Sequence, residues 1–167
     1  VTISLGTVTG GGITRVGDGN LIMAYTHFGH DCIIGNNNVI ANSCQLAGHV
    51  EIENNVTLGG LSAVNQFCKL GSFAFIGGFS AINKDILPYC IAQGNYAVVR
   101  ATNKIGLERN GFTDAEVGDV NKAIRILTKS EGTVEEKLNR IREECAPGAK
   151  IEKFIDFIKT SKRGVAI

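Results

Sequence analysis

The sequence predicts a mainly β chain, a left-handed parallel β-helix of hexapeptide repeats followed by a C-terminal α-helical domain. Three observations predict it. An aliphatic or aromatic residue stands at every sixth position from Val16 to Ile82, twelve times without a break. The positions around each of these residues are mostly small or polar. The charge is also divided unevenly: residues 1–90 carry three Lys/Arg and five Asp/Glu, whereas residues 91–167 carry fourteen and eleven. The expected division is 1–96 for the β-helix and 97–167 for the helical domain.

The period decides the first half. A helix repeats its apolar residues every 3.6 positions and a half-buried strand every second one. A fixed longer period marks a repeat architecture. Six residues make one short strand and one corner, with the aliphatic side chain filling a triangular interior. Three such hexapeptides close an 18-residue coil, and coils stack about 4.8 Å apart by parallel pairing. Small residues such as Thr26, Cys32, Cys44, Ser62, Cys68 and Ala74 stand two positions before the interior residue. Twenty-one glycines against two prolines suggest tight turns of one repeated kind. Leu5-Gly6 is out of phase with Val16, so a loop is expected near Thr9–Gly12. The pattern stops at Leu87-Pro88. Val1 lies in mid-pattern, and further coils are expected upstream of it.

The second half changes period. Thr113-Asp-Ala-Glu116 is a capping box before apolar Val117, Val120, Ala123, Ile124 and Leu127 at helical spacing. Thr133-Val-Glu-Glu136 opens another helix, with Leu138, Ile141 and Cys145 on one side. Pro147-Gly148 breaks it, and Ile151 to Ile158 reads as a last amphipathic helix. These helices are expected to cover the end of the β-helix.

Composition narrows the function. A net charge of +1 argues against a nucleic-acid binder held by a basic field. Five cysteines without a Cys-x-x-Cys pair fit reduced thiols in a cytoplasmic protein. No apolar run is long enough to span a bilayer. Cys32, Cys44 and Cys68 take small-residue positions and read as packing. Phe67, Phe73, Phe75 and Phe79 read as core or subunit-interface residues.

An 18-residue coil stacks residues 18 apart. His30, Gly48 and Gln66 then form one column, and Asp31, His49 and Phe67 the next. His27, Gln45 and Ala63 form a third, and Gly29, Ala47 and Asn65 a fourth. All three histidines of the chain therefore gather in one patch, outside the interior positions. Two chemistries suit the patch. One is a metal site on the imidazole nitrogens, as in the trimeric β-helix carbonic anhydrases, although the His27-x-x-His30 plus His49 spacing differs from theirs. The other is acyl transfer to a hydroxyl. A neutral His30 takes the proton of a weak alcohol nucleophile, typically worth ~10²–10⁴ in rate. Asp31 or a backbone carbonyl fixes the tautomer and steadies the imidazolium. Gly48, without a side chain, leaves its N–H open to a developing oxyanion, a donor worth roughly 10²–10³. No nucleophile elbow is present, and direct transfer is expected.

At these residues the chain resembles a known family. His27-Phe-Gly-His30-Asp31-Cys32, Leu46-Ala-Gly48-His49-Val50, Gln66-Phe67-Cys68, Ile91-Ala-Gln93-Gly94-Asn95 and Gly106-Leu107-Glu-Arg109-Asn-Gly111-Phe112 are similar to the UDP-N-acetylglucosamine O-acyltransferases, the first acylating enzymes of lipid A synthesis. The resemblance runs from Val1 nearly to Gly164. It implies a homotrimer with active sites between subunits, acyl carrier protein and a UDP-amino-sugar as partners, and no cofactor or metal beyond the phosphopantetheine thioester as co-substrate. It makes His30 the base, Asp31 its support and Gly48 N–H the oxyanion donor. His27, His49, Asn65 and Gln66 become sugar-nucleotide contacts, and Asn103 and Arg109 fall where the family meets the nucleotide and the phosphopantetheine arm. Gly78 matches a position that limits acyl length, and a glycine there implies a groove open to a longer chain. Tyr96 stands in the other end-stop region. Asn65 and Tyr96 replace frequent histidines of the family, and Asn110 a frequent arginine. Some relatives use a sugar with an amine at the 3-position and form an amide.

Overall fold

The computed structural model describes residues 1–167. The sixfold period becomes a three-faced prism with one two-residue strand per hexapeptide. The first face stacks β1 (Thr2–Ile3), β4 (His27–Phe28), β7 (Gln45–Leu46), β10 (Ala63–Val64) and β13 (Ala81–Ile82). The second stacks β2 (Arg15–Val16), β5 (Ile33–Ile34), β8 (Glu51–Ile52) and β11 (Lys69–Leu70). The third stacks β3 (Leu21–Ile22), β6 (Val39–Ile40), β9 (Thr57–Leu58) and β12 (Phe75–Ile76). Pairing within each face is parallel, and His27 faces Gln45 as Gln45 faces Ala63, the 18-residue step. Phe28, Ile34, Ile40, Leu46, Ile52 and Leu58 fill the interior at 2% exposure or less. Each such side chain contributes roughly 1.5–3 kcal/mol of burial.

The corners differ from the expectation about glycine. Every sixth residue from Gly19 to Phe79 turns the corner with φ between 56° and 67°, and all except Gly19 carry a side chain. A left-handed residue with a side chain costs roughly 1–2 kcal/mol, so the ladders above and below must hold these residues in place. Glycine serves a different purpose here. A Cβ at Gly29 would lie 2.6 Å from the Ala47 carbonyl carbon, and one at Gly35 would lie 2.6 Å from the Glu53 oxygen. These glycines let one coil approach the next.

The corner between the second and third faces is closed by a polar ladder. Asp18 N–H donates to Asn36 Oδ1 and Asn36 N–H to Asn54 Oδ1, each at 2.7 Å. Inside them, Asn38 N–H donates to Asn20 Oδ1 at 2.8 Å and Val56 N–H to Asn38 Oδ1 at 2.7 Å.

The prism is irregular at both ends. Ile3 pairs with Phe28, 25 residues on, seven more than a regular coil. The excess forms the loop between β1 and β2, with a single 3-10 turn at Val8–Gly10. At the other end β14 (Cys90–Gly94) pairs with β12, Phe75 facing Ile91 sixteen residues on, two fewer than a regular coil. The chain then returns antiparallel as β15 (Ala97–Thr102). That strand lies in the stretch expected to be helical, and the helices start at Lys104.

They are α1 (Lys104–Arg109), α2 (Asp114–Lys129), α3 (Val134–Glu144) and α4 (Ala149–Thr160). Both expected capping boxes form, Thr113 with Glu116 and Thr133 with Glu136. The helices share one apolar core with the solenoid. They are anchored on the flank of the last coils through α4. Lys153 Nζ lies 3.2 Å from Glu53 Oε2 and donates to Ser72 Oγ at 2.7 Å. Lys69 Nζ lies 3.2 Å from Glu53 Oε1 and over the Phe157 ring. Burial alone would raise the Glu53 pKa; the Ser72 hydrogen bonds and the two ammonium groups outweigh it and lower it. No helix is long and apolar enough to cross a membrane.

Candidate active site

The corner between the first and second faces carries the histidines. It follows β4, β7 and β10, so the residues just after these strands stand in columns. His30 Nδ1 lies 2.8 Å from Asp31 Oδ2, and His49 Nε2 lies 3.7 Å from the same oxygen. The His30 and His49 rings meet edge to face at 5.1 Å, and His49 stacks on Phe67 at 4.7 Å. The side chains of His30 and His49 are 41% and 25% exposed, whereas that of Asp31 is 1% exposed. The imidazoles thus face outward and the carboxylate lies beneath them.

Asp31 is held from several sides. It turns the corner at φ 59°. Its N–H donates to Thr14 Oγ1 at 2.9 Å. Thr7 N–H donates to Oδ1 at 2.9 Å and the Thr7 hydroxyl to Oδ2 at 2.7 Å. The Thr7 hydroxyl is the main cause that lowers the Asp31 pKa to about 2; burial opposes it, and His30, the Thr7 N–H and His49 add to it. An ionised carboxylate only accepts, which assigns the His30 proton to Nδ1. The lone pair of Nε2 is then free to take a proton.

Gly48 has a tighter role than an open corner. It is buried, and a Cβ there would lie 2.5 Å from His30 Cε1 and 2.6 Å from Nε2. The His30 ring fills the place of a side chain. The Gly48 N–H has no hydrogen-bond partner within the chain, unlike the N–H groups of Asp18 and Asn36 at the ladder corner. The His30 ring therefore packs against the Cα of a residue whose own N–H is unpartnered.

His27, Gln45, Gly48 and Asn65 line a shallow groove of about 420 Å³ beside His30. His27 Nδ1 lies 2.7 Å from Thr2 Oγ1. Gln66 is exposed one position beyond Asn65.

Asn103 and Arg109 lie elsewhere. They line a cavity of about 860 Å³ between the third face and helices α1 and α2. Its floor includes Phe75, Ile91 and Val99, and its cations include Arg100, Lys104, Arg125 and Lys129. Sequence reasoning did not single these cations out; the charge excess of the second half was their only signal. The Asn103 side chain accepts from Gly106 N–H at 3.2 Å, as cap of α1, and donates to Phe73 O at 2.9 Å. Gly78 belongs to the remaining corner, where a Cβ would lie 3.1 Å from Gly60 O. Tyr96 is exposed between β14 and β15. One chain thus brings the histidines, Asp31, Gly48, Asn65 and Gln66 to a single corner and keeps Asn103, Arg109, Gly78 and Tyr96 apart from them.

Thr7 is the residue of the site that the sequence hid, because the seven-residue slip removes it from the column pattern. His30, Asp31 and His49 each offer one metal-ligating atom within 4.8 Å of the others. A cation on Oδ2 there would compete with the bonds from Thr7 and His30. The cysteines are buried, and burial raises the Cys68 thiol to about 11, so none is a ready thiolate.

Residues 85–166 match the family model described as UDP N-acetylglucosamine O-acyltransferase, domain 2, and residues 13–48 match the bacterial transferase hexapeptide repeats. An acyl-[acyl-carrier-protein]--UDP-N-acetylglucosamine O-acyltransferase from Anaeromyxobacter dehalogenans is 43% identical over 164 residues, covering 98% of this chain and 64% of that protein. Its namesake from Alkalilimnicola ehrlichii is 40% identical over 165 residues, covering 99% and 64%. Among solved structures, the UDP-N-acetylglucosamine O-acyltransferase of Moraxella catarrhalis superposes with a TM-score of 0.94 at 39% identity, covering 99% of this chain and 64% of that one. The UDP-N-acetylglucosamine acyltransferase of Campylobacter jejuni gives 0.90 at 40% identity, covering 97% and 63%. The chain spans about 64% of the length of the curated relatives it matches.

Proposed function

This chain belongs to the UDP-N-acetylglucosamine O-acyltransferase family of hexapeptide-repeat proteins, and from that premise we propose that it moves a 3-hydroxyacyl group from acyl carrier protein to the 3-hydroxyl of UDP-N-acetylglucosamine. The observation that carries this reading is the apposition of three groups: the His30 ring, the buried Asp31 carboxylate on its Nδ1, and Gly48, which packs against the Cε1–Nε2 edge of the ring and has an unpartnered N–H.

The steps follow from these groups. Nε2 of His30 takes the proton of the sugar hydroxyl as that oxygen attacks the thioester carbonyl. The new C–O bond places negative charge on the carbonyl oxygen, which Gly48 N–H receives. Asp31 faces the imidazolium that forms. Collapse breaks the C–S bond, and the phosphopantetheine sulfur leaves with the proton returned from His30. The reaction needs no acyl-enzyme and no cofactor. His27, His49, Asn65 and Gln66 contact the sugar nucleotide. Asn103 and Arg109, in the apolar cavity with a basic rim, meet the nucleotide and the phosphopantetheine arm. The distance of these two from the corner fits a homotrimer in which one subunit's corner meets another's cavity. Gly78 leaves room for the acyl chain, and Tyr96 bounds the groove. The enzyme works in the cytoplasm.

The test is product mass from the intact protein given a panel of acyl carrier protein thioesters and two UDP-sugars, one with a 3-hydroxyl and one with a 3-amine. An ester on UDP-N-acetylglucosamine supports the proposal, and an amide only on the amino sugar redirects it to N-acylation. His30→Ala should lower kcat by ~10²–10⁴. A chelator that abolishes activity would favour the metal reading of His30, Asp31 and His49 instead.

A further inference from the structure

We propose that Thr7, on the loop between β1 and β2, is a positioning residue for the His30–Asp31 pair. The loop departs from the coil for seven extra residues and returns across Asp31. Two of its three threonines hold different parts of that residue. Thr14 Oγ1 accepts the Asp31 N–H at 2.9 Å and pins the left-handed backbone. Thr7 donates twice, N–H to Oδ1 and hydroxyl to Oδ2, and so fixes the rotation of the carboxylate. Oδ2 is the oxygen 2.8 Å from His30 Nδ1. A carboxylate free to rotate would lose that alignment.

The loop is built to make this contact. The Thr7 carbonyl accepts from Gly10 N–H at 3.0 Å and from Gly12 N–H at 2.9 Å, closing a turn over the site. A Cβ at Gly10 would overlap the Asp31 carboxylate and lie 2.7 Å from His49 Cε1. Only a glycine lets the turn lie this close. It covers the carboxylate, whose side chain is 1% exposed. The titratable groups that face Asp31 are His30, His49 and the buried Cys32 thiol. None comes from the loop, so Thr7 acts by hydrogen bonds alone.

This inference rests on the acyl-transfer reading only for its kinetic arm. Thr7→Val keeps the backbone and shape and removes the hydroxyl. Thr7→Ser restores the hydroxyl. Thr9→Val, at an exposed position of the same turn, controls for changes in the loop. In the intact protein, Thr7→Val should lower kcat about tenfold with KM for the UDP-sugar unchanged, the lower end of what outer partners of metal-bound histidines contribute. Thr7→Ser should return to within about twofold of the parent, and Thr9→Val should match it. Carbon NMR of the Asp31 carboxyl should show it titrating at higher pH in Thr7→Val than in the parent. Unchanged kcat and an unchanged Asp31 titration in Thr7→Val would overturn the proposal, as would a Thr7→Ser protein as slow as Thr7→Val. A parent protein without transferase activity would end the acyl-transfer reading, and the Asp31 titration would still decide the role of Thr7.

Discussion

Two corners of the same prism use the same backbone for opposite ends. At the corner between the second and third faces, Asn36 and Asn54 lend a side-chain oxygen to the N–H of the residue 18 positions earlier. At the corner between the first and second faces, the equivalent positions are His30, Gly48 and Gln66, and the N–H of Gly48 has no such partner. Backbone geometry is shared, since Asp31, Asn37, His49 and Asn55 all turn with φ between 56° and 59°. The difference lies in which side chain follows the strand. An asparagine there satisfies the coil below and closes the corner. At the open corner Gln66, 18 positions after Gly48, makes no such bond and leaves the Gly48 N–H free, while Gly48 itself makes room for the His30 imidazole. The histidine corner therefore needs no new fold, only an imidazole, a carboxylate and a glycine at positions the repeat already provides.

The comparison can be broken by substitutions at either corner. The largest expected effect is at the open one. Gly48→Ala puts a methyl group where His30 Cε1 and Nε2 lie, displacing the ring from the donor. The loss in kcat should be about 10²–10³, with melting temperature nearly unchanged, read by steady-state kinetics and calorimetry. At the closed corner the reverse holds. Asn38→Leu leaves the buried Val56 N–H and the Glu53 carbonyl without their side-chain partner. It should cost about 2–3 kcal/mol in urea unfolding and leave kcat unaltered under conditions where the protein stays folded.

Acid sharpens the contrast, because only the open corner holds a carboxylate with a strongly lowered pKa. Asp31 titrates near 2 in the fold against an ordinary value of 3.8. Its contribution to stability is fully present above pH 3.8 and is lost as pH falls towards 2. Stability measured between pH 5 and pH 2 should therefore fall less steeply in Asp31→Asn than in the parent protein. The smallest effect is expected far from both corners. Thr113→Ala removes one cap of α2 and should cost about 1 kcal/mol, without altering kcat.

Much of this was legible in the sequence, and the reason is the period. The twelve interior residues, the 18-residue columns and both capping boxes each repeat a local rule, and residues such as His30 and His49 inherit their neighbours from it. Thr7 was not legible because it lies in an insertion, where column arithmetic fails. The asparagine ladder was within reach, since Asn36 and Asn54 stand 18 apart, as do Asn20 and Asn38. The part played by glycine was misread. Abundant glycine suggested tight turns of one repeated kind, but parallel pairing of the flanking strands holds Tyr25, Leu61 and Phe79 in the left-handed conformation at the corners. Strand β15 carries neither the sixfold period nor a turn signature, and Val98 and Val99 fit either kind of element. Asn103 caps α1 and Arg109 ends it, and no local rule relates them to the histidines.

The two irregular coils show where this architecture tolerates a change of length. Seven residues are gained before Phe28 and two are lost before Ile91, and in both cases the strands resume their register with the aliphatic side chains inside. Among the parallel coils, length varies at vertices, where no rung of the ladder is interrupted. A lineage of such chains can therefore lengthen or trim a vertex loop without shifting any other rung. New first neighbours for a reactive group, as Thr7 is for Asp31, can be recruited by insertion while the scaffold beneath keeps its count.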